Sequence, residues 1–197
     1  MGRQHENDRE ATAADLKWLA DPAEEPETFG DGGTKMAWNT FNVVSIYPNG
    51  NPVMSDVNQR WVGDCCACAV IASMAYLYPR FVKHIIKDNM DKTYTVTMYD
   101  PKGKQISVGV GGDYFIGNSG DLGALGGRNK EVTWATILEK AMIKWNQIYQ
   151  GSSNVGGIGT EYVSAIFTGD GESVGFGANA LIAEDLQRAV EVSLKQG

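Results

Sequence analysis

The sequence predicts a mainly helical α+β fold, and two long helical segments and one hairpin carry this prediction. An apolar run from Cys65 to Tyr78 is ended by Pro79 and is long enough for a buried helix of about three to four turns. Residues 133–149 repeat apolar side chains at the spacing of an amphipathic helix. Two alternating, β-branched stretches, 94–99 and 105–110, are separated by a turn and predict a peripheral β-hairpin.

The composition is that of an ordinary globular protein with an acidic surface. The chain has 197 residues, a formal net charge of −7 and 43% hydrophobic residues. The acidic balance argues against partners that are held by a basic face, so we expect neither a nucleic-acid nor a membrane partner. No apolar run reaches the ~18 residues of a membrane span, and the N-terminus lacks a signal-peptide core. We therefore expect a cytoplasmic protein.

Residues 1–34 differ from the rest of the chain and predict an acidic N-terminal arm. They are rich in Glu, Asp, Ala and Pro, and only Ala13 to Ala20 has the pattern of a short helix. We expect a mobile arm, and the alternative is a docked or inhibitory segment. Residues 35–197 then form the folded domain.

The other local patterns predict shorter elements. They are a strand at Asn42 to Tyr47, a helix at Arg80 to Lys87, a glycine-rich loop from Gly111 to Lys130, a short helix from Thr160 to Phe167 and a last helix near Ala183 to Lys195.

Three cysteines are crowded at the start of the predicted buried helix. Asp64 is suited to be its N-cap, which puts Cys65 in the first turn, where the helix dipole stabilises a thiolate. Cys66 and Cys68 lie deeper in the helix. The alternative is that all three are small packing residues. Zinc binding is disfavoured because three thiols within four residues of one helix cannot face a common point.

A glutamine stands six residues before Cys65, in the loop that enters the helix. Gln59 and the backbone N–H of Cys65 can form the pair of donors that stabilises the oxyanion of acyl transfer. Papain-like proteases use this arrangement. The predicted catalytic residues are therefore Cys65 as the nucleophile and Gln59 as an oxyanion donor.

The run around Cys65 resembles the calpain protease core. Gln59, Asp64-Cys65 and the following Ala69-Val70-Ile71-Ala72-Ser73-Met74 are similar to the calpain pattern of Gln, Asp-Cys and Ala-Ala-Ile-Ala-Ser-Leu, although Cys66 replaces the usual tryptophan. A second block, from Trp134 to Lys144, resembles the calpain Leu-Glu-Lys-Ala helix. A third and weaker block consists of Gly156-Gly157 and 165–169. The resemblance implies a papain-like first catalytic subdomain with Cys65 at the head of its central helix.

The histidine and asparagine motifs of the family do not occur in this sequence. The two histidines, His5 and His84, match no catalytic position. The resemblance therefore implies the Cys-bearing half of a cysteine endopeptidase that acts on a protein or peptide substrate. It also implies a second catalytic subdomain as partner, and we expect the present chain to have little peptidase activity alone.

The resemblance further implies a calcium site in this subdomain. Asp56 and Glu139 occupy the positions that correspond to its carboxylates, and the loop Asn49-Gly50-Asn51 can offer carbonyl oxygens. The alternative is that Asp56 caps a turn and Glu139 pairs with a neighbouring cation.

Two other functions remain open at this stage. One is a calpain-like module that has lost catalysis and serves as a binding or regulatory domain. The other is a thiol redox or metal protein built on the cysteine cluster.

Overall fold

The computed structural model describes residues 9–31, 34–35, 37–117 and 119–169, and there the predicted α+β class is confirmed. The helices in these residues are α1 (Ala13–Ala20), a 3-10 helix (Met54–Asp56), α2 (Cys65–Leu77), α3 (Pro79–Ile85), α4 (Trp134–Tyr149) and α5 (Thr160–Thr168). The strands are β1 (Gly30–Asp31), β2 (Thr34–Lys35), β3 (Ala37–Thr40), β4 (Ile86–Asp88), β5 (Tyr94–Tyr99), β6 (Gln105–Val110) and β7 (Asp113–Ile116).

The strands form small antiparallel sheets. The predicted hairpin is confirmed as β5 and β6, with Tyr94 opposite Val110 and Tyr99 opposite Gln105. Alternate residues of β5 are buried, as the period of a strand requires, and β4 pairs along its other edge. Strand β3 pairs with β7, and β1 pairs with β2.

Helix α4 is the centre of the domain. Fifteen of its sixteen residues are buried, including Trp134 and Trp145, and it contacts β6, β5, α1 and α2. Helix α2 buries Ala67 and Ile71, whose small and branched side chains sit in the same core. Among the described residues no single helix is long and apolar enough to cross a bilayer; α2 and α3 reach that length only together, and they are bent by 112°.

The strand predicted at Asn42 to Tyr47 is wrong, and the glycine-rich loop predicted from Gly111 to Lys130 contains strand β7. The strand nearest to residues 42–47 is β3, which ends at Thr40. Its partner β7 buries Phe115, and the Trp38 ring stacks on Phe115 with 3.9 Å between centroids. A pairing between such distant segments outweighed the local patterns.

The helix predicted from Arg80 to Lys87 is too long. Helix α3 begins at Pro79 and ends at Ile85, and the chain then becomes β4, in which Ile86 pairs with Val96. The short helix predicted from Thr160 to Phe167 is confirmed as α5. The predicted helix near Ala183 to Lys195 lies outside the described residues.

Residues 9–29 lie against the rest of the domain. This arrangement agrees with the alternative of a docked segment and not with the predicted mobile arm. Leu19 is fully buried, and Trp38 Nε1 donates to the carbonyl of Pro26 at 2.9 Å. The backbone of Ala20 passes directly over β6 at Gly109, where a Cβ atom would lie 2.4 Å from the Ala20 carbonyl oxygen. Only glycine permits this approach. The domain boundary at residue 34 stays a prediction.

Candidate active site

Cys65 is the first residue of α2, and its side chain is exposed. Asp64 is the N-cap residue, so the thiol lies at the first turn, as the sequence predicts. The first backbone N–H groups of a helix have no partner within the helix, and their partial positive charge favours an anion at this end. The position therefore suits a thiolate nucleophile.

Gln59 lies in the loop that leads into α2, and its side chain is exposed. Its Nε2 donates to the carbonyl oxygen of Val62 at 2.8 Å. Two backbone hydrogen bonds fix the loop to distant segments: Trp61 N–H donates to the Gly123 carbonyl at 3.0 Å, and a second contact joins Gly157 N–H to the Gly63 carbonyl at 3.2 Å. Gln59 and Cys65 thus present their side chains from one anchored loop and helix.

The Asp64 side chain points into the protein instead of capping the helix. It is 1% exposed and makes no capping hydrogen bond, and its Oδ1 accepts a weak hydrogen bond from Cys68 Sγ at 3.5 Å. Glu139 of α4 is also 1% exposed, and its Oε2 accepts the N–H of Leu125 at 2.9 Å. The Asp64 and Glu139 carboxyl groups lie close enough to shift each other's pKa.

The surroundings of this carboxyl pair disfavour two negative charges. Burial raises the pKa of Asp64 to about 6. Burial, and then the charge of Asp64, raise the pKa of Glu139 well above its ordinary value. Each carboxyl keeps one buried oxygen, Asp64 Oδ2 or Glu139 Oε1, that no described donor reaches. No described lysine, arginine or histidine forms an ion pair with either residue.

The sequence patterns do not indicate the Asp64–Glu139 pair. They predict Asp64 only as a helix cap and Glu139 only as a calcium ligand or an ion-pair partner. A usable signal was the position of Glu139 beside Leu138 on the apolar side of α4, where an acidic side chain needs a specific partner.

The three thiols have different environments. Cys65 is exposed, whereas Cys66 and Cys68 are partly buried. Burial, followed by the charges of Asp64 and Glu139, raises the pKa of Cys68 far above that of a free thiol. Cys68 is therefore a neutral donor to Asp64. The described residues contain no group of three or more His, Cys, Asp or Glu that could hold a metal ion.

Asp56 is surrounded by hydrogen-bond donors. It is 2% exposed, its Oδ2 accepts Trp134 Nε1–H at 2.7 Å and Val53 N–H at 3.2 Å, and its Oδ1 accepts Asn49 Nδ2–H at 3.0 Å. Calcium requires oxygen acceptors in place of these N–H groups. In this arrangement N–H donors occupy the Asp56 carboxylate, and calcium binding at Asp56 and Glu139 stays a prediction.

The histidine in the described residues, His84, lies away from the thiol. It is exposed on α3, which follows the C-terminal end of α2. The 13 residues of α2 span about 20 Å, and the 112° bend does not bring α3 back to Cys65. His5 lies outside the described residues. The described part of the chain thus provides no imidazole beside Cys65.

Comparison with known proteins adds no assignment, because no family model matches the chain and a search of curated proteins finds no match. The resemblance to the calpain core accordingly depends on the sequence blocks quoted above.

Proposed function

We propose that this chain is the Cys-bearing first subdomain of a calpain-like cysteine endopeptidase with a papain-like fold. One observation carries the proposal: Cys65 is an exposed thiol at the first turn of a buried helix, and the exposed amide of Gln59 lies in the loop that enters that helix. A nucleophile and an oxyanion donor on one anchored unit are what acyl transfer requires.

In this proposal the Cys65 thiolate attacks the carbonyl carbon of a peptide bond. The carbonyl oxygen becomes an oxyanion, which accepts hydrogen bonds from the Cys65 backbone N–H and the Gln59 amide. The Gln59 amide exchanges its contact with the Val62 carbonyl for the oxyanion. The intermediate collapses to a thioester on Cys65 as the protonated amine leaves, and water then releases the acid.

The proton for the leaving amine has to come from a general acid outside the described residues. A histidine and its orienting asparagine, supplied by a second subdomain or another chain, fit this role. The substrate is a protein or peptide bound between the two halves. Calcium has no step in this mechanism, because N–H donors occupy the Asp56 carboxylate.

A catalytically inactive binding or regulatory module is the second candidate. The absence of an imidazole near Cys65 in the described residues favours it. An accessible thiol at Cys65, preceded by an accessible amide in the loop that enters its helix, favours the peptidase, because a packing cysteine is usually buried.

Alkylation with iodoacetamide at pH 7, measured for each cysteine by mass spectrometry, tests the proposal. We expect Cys65 to react at least about ten-fold faster than Cys68, because Cys65 is exposed, whereas burial and the neighbouring carboxyls oppose a Cys68 thiolate. Cys65→Ser should remove the fast reaction, and the matched variant Cys68→Ser should preserve it. Equal slow rates at all three cysteines would contradict a nucleophilic Cys65 and favour the binding module.

A further inference from the structure

We propose that the corner between α2 and α3 is a docking surface for an acidic peptide segment of a partner protein, whose apolar side chains enter a groove there while its carboxylates face Arg80. The corner is at the opposite end of α2 from Cys65, about 20 Å along the helix. The inference therefore goes beyond the proposed function and does not depend on it.

The groove lies where the C-terminal end of α2 meets the loop that leads into the 3-10 helix. Its volume is about 600 Å³, and its apolar lining includes Pro52 and Met54 on one side and Ala75 and Tyr76 on the other. Arg80, in the first turn of α3, also lines it. A volume of this size is typical of sites that enclose apolar groups of a ligand and orient them by a few polar groups.

Large apolar side chains are exposed around this groove. Met54 is 51% exposed and Tyr76 is 72% exposed, and the two residues that follow Tyr76, Leu77 and Tyr78, are exposed as well. These side chains are half of the large apolar ones that are exposed in the described part of the chain. Single exposed apolar residues are ordinary, whereas a cluster of them marks an interaction surface.

The charge of the corner is opposite to that of the whole chain. No aspartate or glutamate occurs from Cys65 to Lys87, although the chain contains 24 of them and has a net charge of −7. Arg80, Lys83 and Lys87 are exposed, and no described carboxylate forms an ion pair with them. Lys83 Nζ donates instead to the carbonyl of Gly50 at 2.7 Å. The corner is thus a local positive surface that attracts carboxylates.

An acidic peptide agrees with these features, whereas two other occupants do not. A symmetric contact between two copies of this face would bring the Arg80 and Lys83 side chains of both copies together, and like charges oppose such a contact. An anionic bilayer is repelled by the net charge of −7, and its flat surface offers no side chain to a groove.

A peptide can use both parts of the surface. One apolar side chain can enter the groove between Met54 and Tyr76, and a neighbouring carboxylate can accept two parallel hydrogen bonds from the Arg80 guanidinium. Tyrosine and arginine are also the side chains that most often dominate the affinity of protein interfaces.

Binding to two matched sets of peptides tests the inference. The first set consists of fluorescein-labelled octapeptides that contain four glutamates and four apolar residues, chosen from Leu, Phe, Tyr and Met, in varied order. The second set has glutamine in place of each glutamate. We expect the full chain to bind members of the glutamate set at least about ten-fold more tightly than their glutamine counterparts, as measured by fluorescence anisotropy.

Two substitutions locate the binding site. Arg80→Gln removes the cation and Tyr76→Ser removes the aromatic wall of the groove, and each should weaken binding of the glutamate peptides by about ten-fold. Both side chains are exposed, so both variants should keep the urea midpoint of the original chain. Arg128→Gln is the matched control, because Arg128 is also exposed without a described ion pair but does not line the groove. It should leave the affinity within about two-fold of the original.

Four results would overturn the inference. They are the failure of every glutamate peptide to bind, and binding that neither Arg80→Gln nor Tyr76→Ser weakens. They are also a dimer in sedimentation that Arg80→Gln dissociates, which would assign the groove to a second copy, and binding to phosphatidylserine vesicles that Arg80→Gln weakens, which would assign it to a membrane.

The outcome is separate from that of the proposed function. A fast alkylation of Cys65 without peptide binding would overturn only the docking surface. Peptide binding at the groove with a slowly reacting Cys65 would support the docking surface and favour the binding module over the peptidase.

Discussion

Helix α4 buries charged side chains on two sides, and the partners of these side chains differ between the two sides. On the lysine side, formed by Lys140 and Lys144, Lys140 Nζ pairs with Glu25 at 2.7 Å and lies over the rings of Trp38 and Tyr114. The neighbouring Lys144 Nζ donates to the carbonyls of Asp21 at 2.7 Å and Gly109 at 2.9 Å. On the carboxyl side, formed by Glu139 and Asp64, the neighbour of each carboxyl group is the other carboxyl group.

The difference separates buried charges that join segments of the fold from a buried pair beside the proposed nucleophile. The acceptors on the lysine side come from the N-terminal residues and from β6, so the two lysines join these segments to the core. The carboxyl side has no described cation, and its Asp64 lies directly before the proposed nucleophile, Cys65.

The largest effect on stability is expected on the lysine side. Lys140→Met removes the cation that Glu25 and two backbone carbonyls use, which should lower the free energy of unfolding by about 3 kcal/mol in urea denaturation. Lys83→Met is a matched control, because Lys83 also donates to a carbonyl, at 2.7 Å, and lies over an aromatic ring, but it is exposed. The control should change the stability by less than about 0.5 kcal/mol. Equal losses for both variants would show that burial does not distinguish the lysines.

Lys144 should give the lysine side its own pH dependence. Burial, and then the charge of Lys140, lower the pKa of Lys144 from 10.5 to about 8. Below pH 8 it is protonated in both the folded and unfolded states, and the burial penalty is complete. Between pH 8 and 10.5 the folded state gives up its proton first, so the free energy of unfolding should rise relative to Lys144→Met, by about 2 kcal/mol.

Urea denaturation of both proteins at about pH 7, 8, 9 and 10 checks this slope, since titratable groups distant from Lys144 cancel in the difference. A difference that is constant across these values would show that Lys144 keeps an ordinary pKa despite its burial.

Asp56 provides an intermediate case, a buried carboxylate that N–H donors satisfy. Trp134→Phe preserves an aromatic ring in the core but removes the Nε1–H that donates to Asp56 Oδ2, and it should lower the free energy of unfolding by about 2 kcal/mol. Trp145→Phe is the matched control on the same helix, because its Nε1–H donates to the neutral carbonyl of Tyr99, also at 2.7 Å. Its loss should be about 1 kcal/mol. A larger loss of unfolding free energy in Trp145→Phe than in Trp134→Phe would contradict the expectation that the hydrogen bond to the charged Asp56 is the stronger one.

Local patterns predicted the parts of the fold that depend on near neighbours in sequence. The periods of α2, α4 and the hairpin are set by residues a few positions apart, and these elements are confirmed. Strand β7 was missed because its pairing partner, β3, is distant in sequence and its flanking glycines indicated a loop.

The candidate site also contains residues that a local motif indicates and contacts between segments that are distant in sequence. Cys65 and Gln59 were selected by a local motif, and the structure places both on one exposed unit. The pairing of Asp64 with Glu139 joins two helices, as the contact of Lys140 with Glu25 joins segments 115 residues apart. Neither contact has a sequence period, so the sequence can indicate that buried Glu139 needs a partner but not which residue provides it.

The smallest effect is expected from calcium. The sequence resemblance predicts a site that includes Asp56, but all the contacts of that carboxylate are N–H groups, one of them from the Trp134 indole. Calcium at Asp56 would have to displace this indole, and tryptophan fluorescence would change with it. We therefore expect a calcium titration to give no saturable change in fluorescence, with Trp134→Phe as the comparison. A saturable change that Trp134→Phe abolishes would show that Asp56 exchanges its donors for a cation, and it would place Asp56 with the carboxyl side of α4.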